Sequence, residues 1–179
     1  MTVIGILFRK AGIRLLSFLT KPDSKNIFMR LKMNPDTNYE RLRLENQLCF
    51  PLYACARSVI NLYTPLFKPL GITYTQYIVF MVLWENDGIS VGELGRKLYL
   101  DNGTLTPLLK KMQEKGYLTR VRSKEDERVV IVTLTEEGWA LREKVLSIPE
   151  TVGSCVPLTE EEARTLYNLL YRVIDGMER

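Results

Sequence analysis

Ser90 to Arg120 reads SVGELGRKLYLDNGTLTPLLKKMQEKGYLTR, and its punctuation sets the architecture. Ser90 with Glu93 three residues later is a capping-box signature. Val91, Leu94 and Leu98 follow at helical spacing. Asp101 or Asn102 can cap a second helix. Its inner stripe is Leu105, Leu108, Leu109 and Met112, and Gly116 is a natural stop. After Gly116 the period changes. YLTRVRS and RVVIVTLT are two short β-rich stretches around the charged KEDE. The alternation of Val130, Val132 and Leu134 with a charged tip predicts a hairpin.

Upstream, residues 38–63 read as helix with a pause at Cys49 to Pro51, and TPLFKPLG (64–71) reads as a turn or short helix. Thr73 can cap the apolar run YTQYIVFMVLWEN, which Asp87-Gly88 ends. Downstream, Thr135 can cap a helix ending at Pro149. Thr159 with Glu162 starts a last one, with Leu166, Leu169, Leu170, Val173 and Ile174 on one face. The fold class expected is mainly α with a small β-hairpin wing: a winged helix-turn-helix over 73–136, between helical arms over 37–72 and 137–179. Apolar arms with so little domain to bury against call for a second subunit, so a two-fold homodimer is expected.

The 179 residues suffice for one ordinary domain. Three cysteines argue against a disulfide framework and for a reducing, cytoplasmic setting. The absence of histidine removes a Ser-His-Asp triad, a Cys-His nucleophile pair and the usual His-containing zinc sites. No metal and no cofactor are expected. The net charge of +4 is uneven: residues 1–32 hold seven basic groups against one acid, leaving 18 basic and 20 acidic groups beyond them. Residues 1–32 are read as an extension, a disordered tail or a mis-annotated start, before a domain over 33–179. Arg9, Lys10 and Arg14 interrupt its apolar run, so no membrane span is expected.

Helix-turn-helix proteins place the second helix in the major groove, with its early residues at the base edges. Here those are Asn102, Gly103, Thr104, Thr106 and Pro107, small or polar enough for close approach. Lys110 and Lys111 lie one turn on, within reach of phosphates. Taken alone, this is equally an ordinary helical pair with solvated lysines. The hairpin adds Arg120, Arg122, Lys124 and Arg128. The neighbouring acids are read as internal supports, with Asp126 orienting an arginine across the turn so that Arg128 faces a minor groove.

The run LYLDNGTLTPLLKKMQEKGYLTRVRSKEDERVVIVTLTEEG resembles the MarR family of winged-helix regulators. LENQLCFPLYA with LGITYTQYIVFMVLWE resembles its organic-hydroperoxide-sensing branch. The similarity covers about residues 40 to 175, with Asn102 standing where the branch usually has serine. The resemblance implies a dimeric transcriptional repressor on double-stranded inverted-repeat operator DNA, released when an organic hydroperoxide oxidises a cysteine. The reactive cysteine falls on Cys49, and tyrosine partners across the dimer fall on Tyr63 and Tyr74. In two-cysteine members of that branch a resolving cysteine lies in the region of Cys155, which implies a disulfide from Cys49 to Cys155 of the second subunit; otherwise Cys155 is a bystander and a small thiol closes the cycle.

Cys49 can be read independently. Proline is tolerated in a first helical turn and costs about 3 kcal/mol inside a helix. Pro51 thus places a helix start near Phe50, with Cys49 at its N-terminus, where unpaired N–H groups favour an anion. Such a setting lowers a thiol's pKa without histidine, and a thiolate attacks a peroxide to give sulfenic acid. Cysteine is equally a small buried hydrophobe. Tyr53, one turn on, and Phe50 can line a pocket. Cys55 reads as packing, and Cys155 as a mobile loop cysteine.

Three competing readings remain open. One is a repressor of the same fold that answers a small phenolic ligand without redox chemistry. Another is a thiol peroxidase, an enzyme class usually built on alternating strands and helices, whereas this chain shows one hairpin. The third is a scaffold that does not bind DNA, which predicts no salt-dependent duplex binding.

Overall fold

The structure, a computed structural model, describes Tyr39 and residues 42–177. The reading of residues 1–32, and most of the helix expected from residue 38, lie outside these. The chain divides into two compact units, 1–65 and 66–179.

In the first unit a 3-10 turn at Leu44–Asn46 precedes α1, Cys49–Phe67, which runs across the boundary between the units. The turn expected at 64–71 is therefore shorter. Thr64 to Phe67 continue α1, with Pro65 inside it. Proline ends a helix by removing a donor and crowding the preceding turn, and here only two more helical residues follow it. A 3-10 turn at Lys68–Leu70 and left-handed Gly71 (φ 66°) complete the break.

In the second unit, Thr73 caps α2 (Tyr74–Glu85) through a full capping box with Gln76. Gln76 is the one buried polar residue among those described, and the box satisfies its carboxamide oxygen with the Thr73 N–H at 3.1 Å. The apolar run of α2 fills the centre: Val79, Phe80 and Leu83 are fully buried. Gly88, at φ 71°, turns the chain into β1, Ile89–Ser90.

The helix-turn-helix follows as α3 (Val91–Leu98) and α4 (Asn102–Glu114). Ser90 Oγ accepts the Glu93 N–H at 3.1 Å. The turn is tight. Tyr99 adopts φ 54°, and the Leu100 N–H returns to the Gly95 carbonyl at 3.0 Å. A Cβ on Gly95 would stand 2.8 Å from the Leu100 carbonyl oxygen and 3.2 Å from Leu105 Cδ1. Glycine there is what lets the helices close. Leu94, Leu105, Leu109 and Met112 are fully buried between them, with Leu108 at the margin.

β2 (Leu118–Arg122) and β3 (Val130–Leu134) form the expected hairpin, in register from Leu118↔Leu134 to Arg122↔Val130. β1 pairs with the other side of β3, giving the order β1-β3-β2. The hairpin reading missed β1, because two residues carry no alternation to read. Thr135 caps α5 (Glu136–Val145). Trp84 of α2 stacks on Phe80 at 5.3 Å and donates Nε1–H to the Gly138 carbonyl of α5 at 3.1 Å, fastening α5 to the core.

Pro149 was expected to end that helix. Instead Val145 ends it, and Pro149 lies in the first turn of α6, Ile148–Gly153, a position where its missing N–H costs nothing. α7, Glu160–Met177, starts at the Thr159–Glu162 box, both bonds of which form. The stripe Leu166, Leu169, Leu170 and Val173 is 37–46% exposed. A mainly α fold with a three-stranded antiparallel sheet is thus as expected; the third strand is the addition.

Candidate redox centre and nucleic-acid interface

Cys49 is the first residue of α1 and Pro51 stands in its first turn. The Leu52 N–H, the first to reach back four residues, meets the Leu48 carbonyl at 3.5 Å. Ahead of it, the Phe50 N–H bonds the Gln47 carbonyl at 3.3 Å, and Pro51 has no N–H to offer. Cys49 is exposed. Tyr53 follows one turn later on the same face, 62% exposed, and Phe50 is 41% exposed.

Tyr63 is half-buried further along the same helix. Fourteen residues at about 1.5 Å each put it roughly 21 Å from Cys49 along the axis. One copy's Tyr63 therefore cannot touch its own Cys49. Tyr74 opens α2 in the other unit, half-buried, with its ring 6.3 Å from Tyr77.

Cys55 differs from expectation. It does not pack in the chain's own core; it is exposed, because α1 buries none of its residues before Phe67. Cys155 lies in the connection between the last two helices, as expected, in the turn that follows α6. Its N–H bonds the Val152 carbonyl at 3.0 Å, and its Sγ lies 3.4 Å from the Thr151 carbonyl.

On α4, Asp101 is the cap that the residues left open between it and Asn102. Its Oδ1 accepts the Thr104 N–H at 2.8 Å and its Oδ2 the Thr104 hydroxyl at 3.1 Å. The Thr104 N–H first, then its hydroxyl, hold the Asp101 carboxyl below its ordinary value of 3.8. Asn102, Thr104, Thr106, Pro107, Lys110 and Lys111 are all exposed, while Leu105 and Leu109 are buried. Lys110 pairs loosely with Glu114 at 3.9 Å.

In the wing, Asp126 does not grip a guanidinium. Its Oδ1 accepts the backbone N–H of Arg128 at 2.9 Å, since two residues is the reach of a carboxylate to its own turn. The arginine held across the turn is Arg122, whose Nη1 donates to the Glu127 carbonyl at 2.6 Å. Lys124 and Arg128 are exposed at the tip. Arg120 sits at the base of the hairpin, where its Nε donates to Gln113 Oε1 of α4 at 2.8 Å. Gln113 was missed: one amide on a helix flank carries no motif, and its partner lies seven residues on across a change of element.

Among the described residues no group of three or more Cys, Asp or Glu could hold a metal ion. No single helix among them is long and apolar enough to cross a membrane.

Two close-packed helices with a buried seam, an exposed polar flank and an adjoining basic hairpin define a winged helix-turn-helix DNA-binding fold. The family described as transcriptional regulator SarA/Rot matches residues 61–145. The chain is 42% identical over 144 residues to the organic hydroperoxide resistance transcriptional regulator of Bacillus subtilis, covering 80% of this chain and 98% of that one. Reduced AbfR bound to DNA superposes with a TM-score of 0.64 at 36% identity, over 77% of this chain and 96% of that one; AbfR is a Staphylococcus epidermidis protein. A mutant MarR of E. coli complexed with operator DNA gives a TM-score of 0.67 at 26% identity, over 76% of this chain and 98% of that one. The chain belongs to the MarR family of winged helix-turn-helix transcriptional regulators, in the branch of the organic hydroperoxide resistance regulators. Its relatives are regulators, not enzymes.

Proposed function

We propose that this chain is a cytoplasmic, dimeric repressor that holds an inverted-repeat operator and leaves it when an organic hydroperoxide oxidises Cys49. The observation that carries the reading is the placement of Cys49: exposed, at the first residue of a 19-residue helix, in a chain 42% identical to an organic hydroperoxide resistance regulator. A helix N-terminus favours an anionic side chain, and the thiolate is the form that attacks peroxide.

The Cys49 thiolate attacks the outer oxygen of the O–O bond. Sulfur is oxidised to the sulfenic acid, the peroxide is reduced, and the alkoxide leaves and takes a proton to become the alcohol. Tyr63 and Tyr74 of a second copy donate their hydroxyls to the thiolate, consistent with the roughly 21 Å that separates Cys49 from its own Tyr63. Tyr53 and Phe50 present apolar rings to the organic part of the peroxide. Cys155 of the second copy then attacks the sulfenic sulfur, forming a disulfide and releasing water. To do so its thiol gives up its 3.4 Å contact with the Thr151 carbonyl.

For DNA, residues 73–136 form the binding core, with 37–72 and 137–179 as dimerisation arms. Asn102, Thr104, Thr106 and Pro107 enter the major groove and Lys110 and Lys111 take phosphates. Arg120, Arg122, Lys124 and Arg128 serve the wing. The exposed apolar stripe of α7 supports a second copy as its cover.

Duplex binding with and without an organic hydroperoxide tests the reading. The Cys49→Ser chain should bind as the wild type does and stay bound after peroxide. If peroxide still releases that variant, the sensor assignment fails, and a phenolic inducer that releases both chains would replace it. Cys155→Ser should lose the oxidised cross-linked dimer on a non-reducing gel.

A further inference from the structure

Asp101 and Thr104 make two hydrogen bonds, and the second has a direction that chemistry forces. The Thr104 hydroxyl oxygen lies 3.1 Å from Asp101 Oδ2. An ionised carboxylate can only accept, and this carboxyl is held below 3.8 by the same neighbour. The threonine is therefore the donor, and its single hydroxyl proton is committed to Asp101. What remains of Thr104 for the solvent-facing side is a pair of oxygen lone pairs and a methyl group. The residue is exposed, in the first turn of α4.

We infer that Thr104 is a specificity-determining residue that reads its base pair as a hydrogen-bond acceptor, taking a bond from an exocyclic amino group, adenine N6 or cytosine N4. This rests on the DNA-binding reading above and adds a polarity to it. In the major groove, adenine and cytosine offer amino donors, whereas guanine O6 and N7 and thymine O4 are acceptors only. A free threonine hydroxyl serves either kind. Thr104 with its proton engaged serves the first kind alone, so the cap of the recognition helix also fixes what one of its residues can read. Donation to guanine would leave the Asp101 oxygen without that proton.

The test uses full-length reduced protein and synthetic duplexes. A pool of randomised duplexes first yields the preferred site, and single-position substitutions of that site locate the pair at which Thr104→Val is less selective than wild type. Valine keeps the branched shape and the backbone N–H that bonds Asp101 Oδ1, so that bond of the helix cap survives; it puts a methyl group in place of the hydroxyl. Thr104→Ser keeps the hydroxyl and removes the methyl.

At the located pair, duplexes are then made with the amino group deleted, purine for adenine or 2-pyrimidinone for cytosine, and with the N7 acceptor deleted as the 7-deaza base. Wild type and Thr104→Ser should lose about fivefold or more in affinity on amino deletion, while Thr104→Val loses nothing further. Deletion of N7 should leave the wild-type affinity within about twofold.

Three results overturn the inference while leaving operator binding intact: a base profile identical in wild type and Thr104→Val, a loss that follows N7 deletion instead of amino deletion, or a loss in Thr104→Ser but not Thr104→Val, which would make the methyl the reader. Failure of the wild-type chain to bind any duplex in a salt-dependent way overturns both this and the reading beneath it.

Discussion

Phe80 and Leu52 are both large apolar residues on helices, yet Phe80 is fully buried and Leu52 is 37% exposed. The contrast extends to their regions. Every buried apolar residue among those described falls between Phe67 and Val152. That segment contains the helix-turn-helix, the sheet, and α5 and α6. α1 before Phe67 buries none of its residues, and α7 buries none of its own. The first region supplies its own apolar partners; the helices outside it leave large apolar residues such as Leu52 and Leu169 exposed. Burial is worth about 25 cal/mol per Å² of apolar surface. The segment from Phe67 to Val152 therefore draws its stability from inside one copy, and the exposed apolar faces of α1 and α7 have theirs to gain from another copy. That division suits a regulator whose signal must alter how two reading heads are held.

Changing Phe80 to alanine should break the self-sufficient region. It removes a ring stacked on Trp84 at 5.3 Å and packed edge-on to Tyr117 at 5.5 Å, and a loss of about 3–5 kcal/mol is expected. Denaturant unfolding should show that loss equally at high and low protein concentration. Leu169→Ala, in the exposed stripe of α7, should behave differently. Its expected effect is on association, a dissociation constant raised about tenfold, with a melting temperature that falls as the protein is diluted. Sedimentation at several concentrations reads this directly. If Leu169→Ala instead lowers stability by the same amount at every concentration, the stripe belongs to the chain's own core and the comparison collapses.

The smallest effect concerns the start of the recognition helix. Folding holds the Asp101 carboxyl below 3.8, so between the lower folded value and 3.8 the native state binds fewer protons than the unfolded one. Its stabilising contribution is complete above 3.8 and is lost as pH falls through the folded value. Asp101→Asn should therefore be slightly less stable than wild type at neutral pH, and the two should converge in strong acid. Parallel stability curves down to the lowest pH would count against an ionised cap.

Much of the scaffold was legible because its signals are local. Thr73 with Gln76, Ser90 with Glu93, Thr135 with Gly138 and Thr159 with Glu162 are all three residues apart, and all four caps form. Where the local reading failed, one position had two uses. Pro149 can follow a helix or open one, and it opens α6. Cysteine packs inside or sits outside with equal chemical sense, and Cys55 is outside in the isolated chain. At the candidate sites, the helix start at Cys49 was readable from Pro51, whereas the hydrogen bonds around the wing arginines Arg120 and Arg122 were not.

The sequence by itself determined the helix pair, the caps at Thr73, Ser90, Thr135 and Thr159, that a hairpin follows the helix pair, and that a helix begins at Cys49. These follow from neighbours within one or two turns, whose energies do not depend on the rest of the fold. Only the tertiary structure decided that Ile89 and Ser90 make a third strand against Val132 and Ile131, that Asp87 accepts the Leu134 N–H at 2.9 Å, and that Trp84 reaches Gly138. It also decided that Gln113, and no acid, holds Arg120. Each of these joins groups that different elements bring together. A hydrogen bond's partner is set by which donors and acceptors packing leaves within about 3 Å of each other, and that distance is a property of the folded chain.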